Sequence, residues 1–275
     1  MRILSWNIQY GRGVDGRIDL PRICDRIVGF GDPDVICLQE VAAGFDRIDG
    51  GVDQVARLAR LFPAYQVLYR PGLEWLDGPR PRRFGNLMLS RLPVYELQSH
   101  PLPRPPDPKH RHMPRHLLQI LVAAPAGPLR IATTHLEYFS ALQRDAQVAR
   151  IVELEAEWSG GDDAPPLAGN DSYASRPVAI GTVWCGDFNF ASDDPNYRRI
   201  QQGAARLVDA WTRVAPGQPH PPTCGVHDRI QWVQGPHTRD FFFVSERIAS
   251  KVTAVEVDVD VDYSDHQPVL LTLSP

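Results

Sequence analysis

Lysine is nearly missing from this chain of 275 residues: of 29 basic residues only Lys109 and Lys251 are lysine, the rest being arginine. Arginine suits phosphate recognition through its planar fork. Here most arginines are scattered, as a coding bias toward Arg, Ala, Pro and Gly would leave them. A large charge of either sign is also missing, since the formal net charge is −4. A protein that coats nucleic acid neutralises phosphates with clustered basic residues, so this balance argues against that class. Cysteine is sparse. Cys24, Cys37, Cys185 and Cys224 form no CxxC pair, and Cys37 and Cys185 sit in apolar runs, where cysteine behaves as a small hydrophobe. Neither a zinc site nor a disulfide framework is expected. No run approaches the roughly 18 apolar residues needed to span a bilayer, and no amphipathic anchor is evident. The chain opens on a strand-like MRILSWN without an apolar leader. A cytoplasmic protein, with no membrane partner and no obligate protein partner, is expected.

Hydrophobic residues make up 43% and charged residues 23%, ordinary values for a globular protein. The length suits one large domain, expected over residues 1–275. Period-two alternation and short apolar runs predict strands at 2–8, 34–38, 65–69, 85–90, 117–123, 129–134, 182–185, 239–245, 254–261 and 268–273. Helical spacing predicts helices at 20–30, 54–61 and 141–158. Residues 71–83, 100–116 and 159–181 are dense in Pro, Gly, Arg or Asp and read as loops, the last expected to be flexible. The second carries His100, His110, His112 and His116, which in a proline-rich loop more often titrate with solvent than bind metal. Many strands, few helices and no clean βαβ alternation predict two mixed sheets packed face to face with helices outside.

Polar residues collect at the ends of the apolar strands. SWN ends on Asn7, DVICLQE is expected to stop at Gln39-Glu40, and RIATTHLE places His135 after a strand. TVWCGDFN stops at Asp187-Phe188-Asn189, TRDFFFVS starts on Asp240, and DYSDHQPV puts Asp265-His266 before the last strand. A strand end is a rigid mount that still reaches solvent. Several acids can converge on such mounts only where a cation or a catalytic task offsets their repulsion. Oxygen donors with little cysteine suit Mg2+ or Mn2+ better than zinc.

WN, LQE, THL, GDFN, the Asp-led FFFVS strand and SDHQPV, in this order from Arg2 to Leu273, resemble the endonuclease/exonuclease/phosphatase superfamily. The resemblance implies a four-layer αββα sandwich of DNase I type. It implies a metal-dependent phosphoric ester hydrolase using Mg2+ or Mn2+. It also implies roles: Glu40 as principal metal ligand with Asn7 beside it and Asp265 completing the site, Asp187 orienting or deprotonating the attacking water, and Asn189 holding that water or a phosphate oxygen. His266, oriented by Asp240, would face the phosphate, and His135 would donate to it. The family's abasic-site endonucleases carry an acid where this chain has Gln9 and a tyrosine where it has His135, which puts that branch in doubt. MPRHLLQILV followed by THLEYFSALQRDAQVARI is similar to the tyrosyl-DNA phosphodiesterase type. In that reading Arg115 contacts substrate phosphate and Arg144 braces the site. Separately, the arginines of 80–83 and 104–115 are expected to form a basic rim for nucleic acid, with Tyr138, Phe84 and Phe139 offering stacking surface nearby.

A phosphodiester hydrolase, acting as a nuclease or on nucleic-acid ends with DNA or RNA as substrate, is therefore expected. Inositol phosphates and phospholipid head groups are the alternative substrates. A catalytically silent binding module is the rival of another class, and it would show no metal-dependent turnover.

Overall fold

The computed structural model describes residues 1–275, the side chain of Asp49 excepted. In chain order the elements are β1 (Arg2–Asn7), α1 (Leu20–Gly29), β2 (Val35–Ala43), α2 (Asp46–Asp49), α3 (Gln54–Leu61), β3 (Gln66–Tyr69), β4 (Leu73–Trp75), β5 (Arg82–Ser90), β6 (Val94–Pro101), β7 (His116–Ala124), β8 (Gly127–His135), α4 (Ala141–Asp163), β9 (Thr182–Asp187), α5 (Pro195–Gln201), β10 (Leu207–Asp209), α6 (Ala210–Val214), β11 (Asp240–Ser245), β12 (Val252–Val257) and β13 (Val269–Leu273). One sheet runs β12-β13-β1-β2-β5-β3, with β4 also on β5; the other runs β10-β11-β9-β8-β7-β6. Each is mixed, because β1 pairs parallel with β2, and β8 with β9, while the other pairs are antiparallel.

Alternation sorts the strand residues into layers. Ile3, Val35, Cys37, Ile120, Ile131, Val183, Cys185, Phe242 and Leu271 form the core between the sheets. Leu4, Trp6, Ile36 and Leu38 point the other way, onto Ile23 and Ile27 of α1 and Leu58 of α3. On the second sheet Ala132, Trp184, Phe241 and Phe243 pack against Val148, Ile151 and Leu154 of α4. The expected two-sheet sandwich with outer helices is present. The helix starts are capped in the usual way: Asp19, Asp53 and Ser140 accept from the main-chain N–H of Arg22, Ala56 and Gln143.

Four sequence expectations need correction. The second strand does not stop at Glu40 but continues to Ala43 through a bulge. Strand β4 lies inside the expected loop 71–83, because Leu73 and Trp75 pair with β5. Helix α4 runs to Asp163, so the first residues of the expected loop 159–181 are helical. Strands β6 and β10 and helices α2, α5 and α6 carry too short or too polar a pattern to be read from sequence. Residues 102–115 are a loop as expected, but α4 holds it: Gln143 Nε2 donates to the Pro105 carbonyl (2.8 Å), Gln147 Nε2 to that of Pro103 (3.3 Å), and Ser140 Oγ to Asp107 (2.6 Å). Its histidines do not gather: His110 pairs with Asp107 (2.9 Å), and His116 is buried, accepting from the Asn86 N–H (3.1 Å).

Glu155 of α4 is a buried acid away from the strand ends, and its carboxylate accepts from Trp184 Nε1 at 2.7 Å. Burial, only partly offset by that bond and by Arg130, pushes its carboxyl up to about 7. The folded protein therefore binds this proton more tightly than the unfolded chain. Stability from this group is greatest below the unfolded value of 4.5 and is lost as pH rises toward 7, by about 3 kcal/mol in all. Glu155→Gln keeps an acceptor for Trp184 and removes the titration. Its gain in unfolding free energy over the parent should grow between pH 4.5 and 7 in urea titrations; a difference independent of pH would show that Glu155 does not titrate there.

Candidate active site

Each strand-borne site residue but one continues the inward-facing series of its own strand, while Asp265 and His266 sit in the segment before β13. Ile3 and Ser5 lead to Asn7, Ile131 and Thr133 to His135, and Val183 and Cys185 to Asp187; Val244 and Phe242 lead back to Asp240. Strand register then places them side by side, with His135 opposite Asp187 and Asp187 opposite Asp240. Gly186 lets the strands approach there: its φ is +134°, and a Cβ would lie 2.0 Å from the Thr134 carbonyl oxygen.

Glu40 is the exception. The register of β2 against β5 slips between Leu38 and Val41, and Glu40 takes a left-handed φ of 60°. Without that bulge, alternation would turn its side chain toward the helices. Gln39 stays inward and donates to Thr133 Oγ1 (2.9 Å) and Ser5 Oγ (3.2 Å), which pins the base of the bulge. Strained backbone of this kind persists only where its surroundings hold it.

The polar groups form one contiguous constellation. Asn7 Nδ2 donates to Glu40 Oε1 and to Asp187 Oδ2, both at 3.1 Å. Asp187 Oδ2 also lies 3.4 Å from His135 Nε2 and 3.6 Å from His266 Nε2. His266 Nδ1 bonds Asp240 Oδ2 at 2.8 Å, and Thr223 Oγ1 donates to the same oxygen at 2.6 Å. Asp240 Oδ1 is buried without a partner among the described residues. The His266 main chain is fixed by Trp6 Nε1, which donates to its carbonyl (2.9 Å). Asp265 Oδ2 accepts from Gln231 Nε2 (2.7 Å) and Trp232 Nε1 (3.2 Å).

Electrostatics splits the two histidines. Burial opposes charge on His266, but Asp240, Asp187 and Asp265 outweigh it and hold its imidazole well above the usual range. His135 goes the other way: burial, then the Arg115 guanidinium, holds it well below. Burial would raise Asp187, yet the His266 imidazolium, with His135 and the Arg239 guanidinium beside it, keeps it below the usual carboxylate range. Asp240 is pushed up to about 6, chiefly by burial. Glu40, whose side chain is 21% exposed, is pushed up to about 7 by burial and then by the charge of Asp265.

Glu40 and Asp265 give the test of fit for a cation. Glu40 and Asp265 repel each other beside the amide of Asn7, an oxygen-rich donor set with no thiol, which a hard divalent ion would relieve. Asp187, Asp240 and His266 also bring donor atoms within 4.8 Å of one another. That group reads better as an acid–imidazolium–acid relay, since its histidine is charged and its Nδ1 already bonds Asp240.

The remaining expected residues fall at the rim. Arg115 is buried and donates through Nε to Glu137 Oε2 (3.3 Å), lining a cleft with Glu40, Phe84, Asn86, Met113 and His135. Arg144 is spent on main-chain carbonyls, of Glu137 (2.9 Å) and Tyr138 (3.0 Å), so it braces the segment that carries Tyr138. Tyr138 is 37% exposed and packs edge-on against Trp232. Asn189 is engaged at both ends of its amide, with Nδ2 on the Leu136 carbonyl (3.0 Å) and Oδ1 accepting from Arg239 (3.2 Å). Sequence reasoning missed Thr223, Gln231, Trp232 and Arg239. All four come from the loop between α6 and β11, whose sequence signal is its length; Arg239 ends it, next to Asp240.

The molecule is similar to several solved structures. An endonuclease/exonuclease/phosphatase from Beutenbergia cavernae is 24% identical, with all of this chain and 72% of that one covered at a TM-score of 0.68. A humanized D. rerio TDP2 is 19% identical over 100% of this chain and 99% of its own, at 0.63. A 3′ phosphatase, NExo from Neisseria, bound to product DNA hairpin, is 18% identical over the full length of both chains, at 0.64. No curated protein sequence matches. The sequence pattern of the Endonuclease/Exonuclease/phosphatase family matches residues 4–266, nearly the whole length: this chain belongs to that family.

Proposed function

We propose that this chain is a divalent-metal-dependent phosphodiester hydrolase acting on nucleic acid, as a nuclease or on its ends. The observation that carries the reading is Asp187, a buried carboxylate gripped between one charged and one neutral imidazole. Its family is mostly hydrolytic, and its members generally use divalent metals. In this reading Asn7, Glu40 and Asp265 hold Mg2+ or Mn2+. When bound, that ion supplies Lewis-acid polarisation of the phosphoryl oxygen. The chain's own groups do the rest. Asp187, ionised at neutral pH, orients the attacking water and accepts its proton. The His266 imidazolium, aligned by Asp240, stabilises charge developing on the phosphoryl group, and His135 adds a neutral N–H donor there. Arg115 meets a non-bridging oxygen.

Nucleic acid is favoured as substrate by the rim. Tyr138 and Phe139 are partly exposed beside the site, and Arg111 lies over the Phe139 ring with its Cζ 4.1 Å from the centroid. Such faces stack bases of any sequence. A cytoplasmic setting accords with four free, buried cysteines.

The test is a panel of bis-p-nitrophenyl phosphate, single- and double-stranded DNA, RNA, a 5′-phosphotyrosyl oligonucleotide and an inositol phosphate, each with Mg2+, Mn2+ or EDTA. Cleavage of a nucleic acid that EDTA abolishes is the expected result. Turnover of inositol phosphate alone would overturn the substrate class, and no metal-dependent turnover on any ester would revive the silent binding module.

A further inference from the structure

Arg239 plays no part in the reading above, yet it is the hub of the rim. Its guanidinium packs against two rings set edge-on to each other, with Cζ 5.3 Å from the Tyr138 centroid and 4.9 Å from that of Trp232. Nη1 donates to both the carbonyl and the Oδ1 of Asn189, each at 3.2 Å. Nε donates to His237 Nε2 at 2.8 Å. That nitrogen is free to accept because His237 Nδ1 lies 2.8 Å from the Gly235 carbonyl, which only an N–H can satisfy.

We infer that Arg239 is a positioning residue for the hydrolysis, a planar cation that clamps the turn from Asp187 to Asn189. Asn189 has a left-handed φ of 54°, and its N–H donates to Asp187 Oδ1 at 2.9 Å. The other oxygen of Asp187 faces the two histidines. Aim at one oxygen is therefore set by the bond at the other, and that bond by the strained residue Arg239 holds from the opposite side. Contact with both rings holds the guanidinium in place, and both Asn189 bonds come from one nitrogen, Nη1. Trp232 links the clamp to the cation side of the site, since its Nε1 donates to Asp265 (3.2 Å). Lysine cannot fill this slot: it has no plane to stack and no second nitrogen to reach His237.

The inference rests on the hydrolase reading for its kinetic test but not for its structural one. In Arg239→Ala and Arg239→Lys, kcat should fall about 10- to 100-fold with little change in KM, as for other loss of an orienting partner. Millimolar guanidinium should restore part of the rate to Arg239→Ala, and methylammonium should not. The crystal structure of Arg239→Ala should show Asn189 out of its left-handed conformation or Asp187 turned from Asn7, with a guanidinium soak reversing the change. An unmoved 187–189 turn, or an active parent whose Arg239→Ala variant keeps full kcat, would overturn the assignment. A parent with no metal-dependent turnover would instead refute the hydrolase reading, and the crystal structures alone would then decide on Arg239.

Discussion

Asp187→Asn and His266→Gln should each lower kcat on the order of 10³-fold at saturating metal, and the double variant should lose little more than the worse single. In the proposed mechanism the two side chains act as one unit. Asp187 Oδ2 lies 3.6 Å from His266 Nε2, and His266 is kept charged by Asp240 and Asp187 in spite of its burial. Neutralising Asp187 removes both the acceptor for the water proton and part of what holds that charge. Replacing His266 removes the donor to the phosphoryl group and leaves Asp240 buried with Thr223 alone. The measurement is steady-state hydrolysis of bis-p-nitrophenyl phosphate, with near-UV circular dichroism to confirm the fold. Losses that multiply would show two independent roles, and near-parental rates in either single variant would remove that residue from the mechanism.

Glu40→Gln should raise the metal concentration needed for half-maximal activity by at least about tenfold, with a smaller loss at saturation. Glutamine keeps the shape and the bond from Asn7 Nδ2 at 3.1 Å but removes the charge. Glu40 is the one acid of the site on a bulged, left-handed residue, and such strain costs about 1–2 kcal/mol in a residue with a Cβ. Glu40→Gly should therefore be more stable than Glu40→Ala by about 1 kcal/mol in urea unfolding, although both lack the ligand. An unchanged Mg2+ titration in Glu40→Gln would place the ion elsewhere, and equal stability of the glycine and alanine variants would show that the bulge is not strained.

The strand ends were legible because an apolar run and the polar residues that stop it are local properties. TVWCGDFN placed Asp187 at a strand end, although Val183, Trp184 and Cys185 are apolar on both faces and so left its face open. The same holds for Asn7, His135 and Asp240, so the residue types and strand-end positions of the site were determined by the sequence. Short pieces such as β4 and β10 were not, since three residues carry too little periodicity to tell a strand from a turn. Nor was the strand that bears Glu40: LQE was expected to end it, and only pairing with β5 shows a bulge with the strand running on.

The tertiary structure alone decided the matters that depend on pairs distant in the chain. That His266 is held well above the usual imidazole range and His135 well below it follows from how deeply the fold buries each ring and which acids and which arginine it sets beside it; the two imidazoles are chemically identical in the sequence. Arg239 and Trp232 became visible only when the loop before β11 was folded back on Tyr138 and Asp265, because stacking geometry and a hydrogen bond across 33 residues leave no periodic trace. Apolar runs and their polar ends therefore determined the strands and the residues that end them, while the two-sided burial of those strands left facing, aim and charge to register, the bulge and loop packing.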